Sequence, residues 1–208
     1  MTLLGGQNNV HAPQRNPCSQ KRYVEAAIRH ENFTTKPITN DIGLIKVNKK
    51  FELTTYVNLI RVATAAENRN ADAADLRAKC IVIGWGQTKQ RNSSKAPAPY
   101  TRLKYLREVE LPLLNLSKCK AHVPRFNLTD TQMCTMYANG TKDACIGDSG
   151  GPLFWDSSHS NTNYVLQGIV SYGIGCARKN VPAIFTRVDK YEDWINNVIQ
   201  NYTYYKHL

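Results

Sequence analysis

The chain has 208 residues, 42% of them hydrophobic, so it can bury a sizeable core in one compact domain or two small barrels. No apolar run approaches the ~20 residues that a membrane helix requires, which excludes a helical membrane span from the reading. The 27 basic and 16 acidic residues leave a net charge of +11, scattered along the chain with only short pairs at Lys21-Arg22, Lys49-Lys50 and Arg178-Lys179. Such a surface attracts polyanions weakly, but no nucleic-acid module signature is present, and solvated basic loops are the plainer reading.

In chain order, the first strand candidate covers residues 23–30. Ile42, Leu44 and Lys46 then alternate with Gly43, Ile45 and Val47 in an apolar run suited to a buried strand. Residues 64–79, rich in Ala, Asp, Asn and Arg, read as a surface linker between two halves. The short β-branched run 80–83 is stopped by Gly84-Trp-Gly86, and over 108–113 the apolar residues fall at every second place, as in a strand with one wet face. Further strands are predicted over 164–172 and 183–188. With Gly, Pro and Asn clusters between the runs, the pattern is that of an antiparallel all-β protein built of barrels or sandwiches. Only the end departs from it. Between Asp189 and Gln200, the residues Tyr191, Trp194, Ile195, Val198 and Ile199 recur at helical spacing, and Asp189 with Glu192 offers a capping-box start. That predicts a terminal amphipathic helix docked on a barrel.

Six cysteines (Cys18, Cys80, Cys119, Cys134, Cys145, Cys176) are widely spaced, with no C-x-x-C pair to suggest zinc or a redox motif. N-x-S/T sequons begin at Asn32, Asn92, Asn115, Asn127, Asn139 and Asn201, where composition alone would give about two. Both features point to a secreted glycoprotein. The start, Met-Thr-Leu-Leu-Gly-Gly, does not look like a signal peptide, and a sequence missing its natural start reconciles the two observations.

The most telling stretch is Asp143-Ala-Cys-Ile-Gly-Asp-Ser-Gly-Gly-Pro-Leu153. A serine hydroxyl becomes a useful nucleophile only with a base for its proton and donors for the oxyanion. Gly147, Gly150 and Gly151 permit close backbone approach and a tight turn that exposes the hydroxyl. The segment resembles the nucleophile loop of the trypsin/chymotrypsin-like serine proteases. Companions follow in family order: Asn40-Asp-Ile-Gly-Leu-Ile-Lys46, Cys80-Ile-Val-Ile-Gly-Trp-Gly86, Gly168-Ile-Val-Ser-Tyr-Gly173 with Gly175-Cys176, and Val181-Pro-Ala-Ile-Phe-Thr-Arg-Val188.

The resemblance covers essentially the whole chain. It implies two antiparallel β-barrels with a C-terminal α-helix, the first barrel incomplete. Residues 1–63 would be the remainder of the N-terminal barrel, 64–79 the linker, 80–188 the C-terminal barrel and 189–201 the helix. It assigns Ser149 as nucleophile, Asp41 as orienter of an imidazole, and the amides of Gly147 and Ser149 as the oxyanion hole. Asp143 would lie at the floor of the specificity pocket, favouring Arg or Lys at the cleavage site. Ala144, Ser171, Tyr172, Gly173 and Ala183 would contact substrate; Ala183 stands where glycine is usual and narrows the pocket, and Tyr172 replaces a tryptophan. Disulfides Cys119–Cys134 and Cys145–Cys176 follow from the same resemblance. Cys80 meets Trp155 where its family partner would be, so Cys18 and Cys80 could bond each other, bond a cysteine elsewhere, or stay reduced.

The family's histidine, in an Ala-Ala-His-Cys segment ahead of the triad aspartate, has no counterpart before Asp41. His11 and His30 lack that context, and His122, His159 and His207 follow the aspartate. Nor is there an Ile-Val-Gly-Gly-like start to pair with Asp148, as the released N-terminus does in the family. The expected function is a serine endopeptidase domain acting by acyl-enzyme chemistry, with this polypeptide inactive alone. The alternative is a non-catalytic protease homologue that binds partners. Protein or peptide substrates and protein inhibitors are the expected partners, and a complete form is expected to be monomeric. No cofactor is implied, and no metal: residues 7–18, where the family's calcium loop would fall, offer no carboxylates.

Overall fold

The structure, a computed structural model, describes residues 1–11, 17–65, 79–88, 103–156 and 163–202. It opens with strands β1 (Thr2–Gly5) and β2 (Gln20–Arg29), a small hairpin of β3 (Thr34–Thr35) and β4 (Ile38–Thr39), and β5 (Gly43–Val47). Strands β1, β2 and β5 form an antiparallel sheet of three, in that order, with Leu3 opposite Arg22 and Ile28 opposite Leu44. The sheet does not close on itself, so the first barrel is incomplete, as the resemblance implied.

The second sheet contains β6 (Arg61–Val62), β7 (Lys79–Gly84), β8 (Arg107–Leu114), β9 (Gln132–Thr135), β10 (Pro152–Asp156), β11 (Tyr164–Gly173) and β12 (Ala183–Arg187). Its order is β10-β7-β8-β9-β12-β11-β6, and a further β10–β11 pairing closes the first six into a barrel. Strand β6 adds to β11 in parallel on the outside, so the chain has already crossed to the larger sheet by residue 61. The linker expected over 64–79 falls almost entirely outside the described residues.

Closure explains the core. Alternate residues of each barrel strand point inward, and Val82, Leu111, Leu153 and Phe185 are at most 2% exposed. Each such side chain contributes about 1.5–3 kcal/mol of transfer free energy. A second cluster, Cys119, Val123, Leu128, Cys134 and Ile184, packs helix α1 (Leu116–His122) on the barrel. The sequence reading did not anticipate α1. Its signal is brief: Asn115 caps it by accepting from the amide of Ser117 at 2.9 Å.

The C-terminal helix begins differently from the expectation over 189–200. A 3-10 turn (Val188–Tyr191) leads into α2 (Glu192–Gln200), whose N-cap is Tyr191 with no side-chain cap bond. Asp189 does not cap because its carboxylate accepts from Arg187 Nε at 2.9 Å, in a pair whose side chains are 8% and 1% exposed. A buried guanidinium without a counter-charge would cost more than the lost cap, so the ion pair wins. Val198 is buried, and Trp194 ties α2 to the small sheet by stacking on His30 at 4.9 Å and donating to Glu31 Oε2 at 2.8 Å.

Candidate active site

Asp41 precedes β5 and is aimed by its neighbour. Asn40 has φ of 51°, a left-handed conformation that asparagine tolerates better than most residues. It is held there from both ends: Oδ1 accepts from Tyr191 Oη at 2.9 Å, and Nδ2 donates to the Asn32 carbonyl at 2.8 Å. The Asp41 carboxylate then accepts from Ser171 Oγ at 2.6 Å, while its backbone carbonyl accepts from Thr186 Oγ1 at 2.7 Å. Two strands of the closed barrel, β11 and β12, thus fix an aspartate in the segment that leads into the open sheet.

Ser149 stands on the turn before β10. The Asp148 amide donates to Cys145 O at 2.9 Å, Gly151 N to Asp148 O at 2.8 Å and Gly150 N to Val170 O at 2.9 Å. Gly147 and Gly150 adopt φ of 99° and 79°, which an L side chain rarely adopts. At Gly151 a Cβ would strike the Asp148 carbonyl at 2.7 Å. The outcome is an exposed Ser149 hydroxyl beside the exposed Gly147.

Three cavities surround this turn. A groove of 530 Å³ is lined by both Asp41 and Ser149, with Ala27 to Arg29, Ile42 to Ile45, Gly150, Ile169 and Val170. A second cavity, of 260 Å³, brings together Ala144, Ser149, Ser171, Tyr172, Gly173 and Ala183, all named from the sequence. Its aromatic wall is held from behind: Tyr172 Oη accepts from Gln132 Nε2 at 3.1 Å, and Phe126 meets the ring edge-on at 5.3 Å. Burial pushes the Tyr172 phenol above its ordinary value, against the opposing pull of the Gln132 hydrogen bond.

Asp143 is elsewhere. It lines the third cavity, of 310 Å³, together with Asp148, Gly84, Gly86 and Lys142. The second and third cavities back onto the same pair, Cys145 and Cys176. Asp143 Oδ2 accepts from the Ala177 amide at 2.8 Å. Burial pushes its carboxyl up to about 6; the Ala177 and Ala144 amides oppose that shift and the Asp148 charge adds to it. Asp148 accepts from Gly86 N at 2.8 Å and Cys145 N at 3.0 Å. A Cβ at Gly84 or Gly86 would run into its carboxylate. The sequence reading saw Gly84-Trp-Gly86 as the end of a strand; the two glycines are also the seat of this aspartate.

Among the described residues, no histidine lies in the wall of either cavity that Ser149 lines. His30 is 9% exposed, stacked on Trp194 and edge-on to Tyr191, with Nδ1 accepting from Asn32 N at 3.1 Å. His122 ends α1, and the backbone amide of His11 donates to Asn9 Oδ1 in a loop. His159 and His207 lie outside the described residues.

Disulfides Cys119–Cys134 and Cys145–Cys176 are formed, with Cα separations of 6.4 and 5.3 Å. The first ties α1 to β9, and the second ties the nucleophile turn to the segment before β12. Cys18 and Cys80 are not bonded to each other. Cys80 is fully buried in the barrel, which pushes its thiol up to about 12. Of the sequon asparagines, Asn32, Asn127, Asn139 and Asn201 are exposed, Asn115 is half-buried at its cap, and Asn92 lies outside the described residues. Among the described residues no group of three His, Cys, Asp or Glu side chains could hold a metal, and no helix is long and apolar enough to cross a membrane.

The family model described as Trypsin matches residues 2–195. A trypsin of Sus scrofa is 37% identical over 196 residues, which span 93% of this chain and 74% of the relative. Serine protease 1 of Homo sapiens is 35% identical over 196 residues, spanning 93% and 69%. A trypsin of Squalus acanthias is 34% identical over 196 residues, spanning 93% and 74%.

Proposed function

The chain belongs to the trypsin family, and on that premise we propose that it is a serine endopeptidase domain whose nucleophile is Ser149. The observation that carries this reading is that Ser149 and Asp41, far apart in sequence, line one groove, with Ser171 bonded to Asp41 from the adjoining cavity. A substrate strand would lie along Ser171 to Gly173 as an added β-strand, its side chain entering the 260 Å³ cavity. Ser149 Oγ would attack the scissile carbonyl, and the amides of Gly147 and Ser149 would receive the oxyanion. The triad roles are those of this family, carried over rather than derived from the geometry: a histidine takes the serine proton, and Asp41 holds its ring and stabilises the imidazolium.

With no histidine among the described residues in the walls around Ser149, these 208 residues are expected by themselves to hydrolyse peptides negligibly. Loss of the base costs about 10⁶-fold in kcat in a comparable triad. The test is turnover of tripeptide nitroanilides ending in Arg or Lys by the purified chain; release above the uncatalysed rate would overturn this part of the reading. The same absence supports a second reading, a protease homologue that binds peptides or inhibitors without cleaving them. Saturable binding in the cavity with no upstream sequence that encodes a base would favour it.

Preference for Arg or Lys requires a carboxylate in the pocket. Asp143 is one residue from Ala144 in the cavity wall, but its carboxylate now sits across the Cys145–Cys176 disulfide, so basic side chains are bound only if it swings over. Calorimetry with product-like peptides ending in Arg, Lys, Phe or Leu decides this: Arg and Lys should bind best, and a preference for Phe or Leu would refute it. The reading extends to a secreted glycoprotein in which 64–79 is an exposed linker leading from β6 into the closed barrel, tested by glycosidase digestion of material expressed through the secretory route and by limited proteolysis.

A further inference from the structure

Arg22 on β2 is 8% exposed, yet among the described residues no carboxylate lies within ion-pair distance of it. Its guanidinium is held by neutral oxygens alone. Nε donates to Lys50 O at 2.9 Å, Nη1 to Lys21 O at 2.9 Å and Nη2 to Gln20 Oε1 at 2.8 Å, over the ring of Phe51 at 4.9 Å. Buried charges are ordinarily paired, so an arginine left with its charge uncompensated stands out. By contrast the other buried arginine with a described partner, Arg187, has Asp189.

The same bonds gather more positive charge. Arg22 fastens the turn that carries Lys49 and Lys50 to the strand that carries Lys21, joining two basic pairs that are 28 positions apart at the Arg22–Lys50 contact. Tyr23 and Asn48 reinforce the seam, with Tyr23 N donating to Asn48 Oδ1 and Asn48 N to Tyr23 O, both at 2.9 Å. Gln20 and Glu52 extend it, with Gln20 Nε2 donating to Glu52 O at 2.7 Å. Lys21, Lys49 and Lys50 are exposed. The single described counter-charge is Glu52, 3.8 Å from Lys49, with both side chains more than two-thirds exposed at 71% and 74%. Such a pair is loose and screened by salt. Lys46 is left out of the group because Glu25 holds it at 2.9 Å.

We propose that this end of the open sheet, where the segments carrying Lys21, Lys49 and Lys50 meet at the buried Arg22, is a docking surface for a sulfated polysaccharide. Lysine ammoniums are compact point charges on flexible stems, suited to sulfates presented in varied orientations along a linear polymer. The net charge of +11 draws such a polymer in from a distance, and the fixed Arg22 charge keeps the local potential positive as the lysines move.

The test compares two double variants with the same change in net charge, K49E/K50E at the proposed surface and K118E/K120E on the exposed side of α1. Neither should disturb the fold, because Arg22 bonds the backbone carbonyl of residue 50, which a glutamate keeps, and Lys118 and Lys120 are exposed on α1; circular dichroism checks this. Binding of a labelled heparin hexasaccharide at 0.15 M salt is read by fluorescence anisotropy. K49E/K50E should lose at least about tenfold in affinity and K118E/K120E less than about threefold, with wild-type affinity falling steeply as salt rises. Equal losses in the two variants would mean that net charge alone is responsible, and would overturn the proposal. So would an absence of wild-type binding, equal binding of the desulfated saccharide, or equally strong competition by single-stranded DNA of matched charge.

Discussion

Replacing Asp143 with asparagine should stabilise the protein, and only above a definable pH. Burial raises this carboxyl from 3.8 to about 6, with the nearby Asp148 charge adding to the shift. At about 1.4 kcal/mol for each pH unit, the ionised form is disfavoured in the folded state by about 3 kcal/mol; solvent reaching the remaining exposed part reduces this to about 1–2 kcal/mol. The folded-state value is raised, so the group's contribution is fully present below pH 3.8 and is lost as pH rises through about 6. Asparagine carries no charge at any pH and its Oδ1 can still accept from the Ala177 amide, which Asp143 now receives at 2.8 Å. Urea unfolding of Asp143→Asn and wild type at pH 4 and pH 7.5 measures the difference. The variant should match wild type at the lower pH to within ~0.5 kcal/mol and exceed it by about 1–2 kcal/mol at the higher. A variant that is less stable at pH 7.5, or a difference that is the same at both, would refute the placement of Asp143 in a buried, acidic cavity.

Gly86→Ala puts a Cβ against the Asp148 carboxylate, and should lower the urea unfolding free energy by about 1–3 kcal/mol. Replacing both Cys145 and Cys176 with alanine opens a loop of sequence separation 31, for which loop entropy gives a loss of about 3–4 kcal/mol in the same assay. Ser171→Ala removes the 2.6 Å bond to Asp41 and leaves one carboxylate oxygen to solvent, with an expected loss of about 1.5–3 kcal/mol. Trp194→Phe keeps the ring on His30 but drops the indole bond to Glu31; since Glu31 is exposed and Trp194 only half-buried, a loss below about 1 kcal/mol is expected by thermal unfolding.

The strands were legible where side-chain alternation and barrel closure agree. The run at 80–83 became the centre of β7, and the alternation at 108–113 the body of β8, because every second residue there meets the core. The terminal helix was legible from its spacing, whereas its start was not. Asp189 reads as a cap until Arg187 is known to be buried beside it, and that is a tertiary fact. Helix α1 was missed because seven residues with a single buried side chain, Cys119, carry almost no period. In the site, the motif order gathered Ala144, Ser149, Ser171, Tyr172, Gly173 and Ala183 around one cavity. The motif could not tell on which side of the Cys145–Cys176 disulfide the Asp143 carboxylate falls. The Asp148 that shares its cavity is seated against Gly84 and Gly86 some sixty positions away, at a separation of 62 for the Gly86 bond.

A serine nucleophile of this family is inert unless a base takes its proton, and among the described residues no histidine lines the cavities around Ser149. The most direct measurement is intact-mass spectrometry of the purified chain after incubation with a fluorophosphonate that acylates only activated serines. No stoichiometric adduct should form over hours, although the chain is folded and both disulfides are closed. A single adduct of full occupancy, mapped to Ser149, would show that the serine is activated and would contradict the reading of the site.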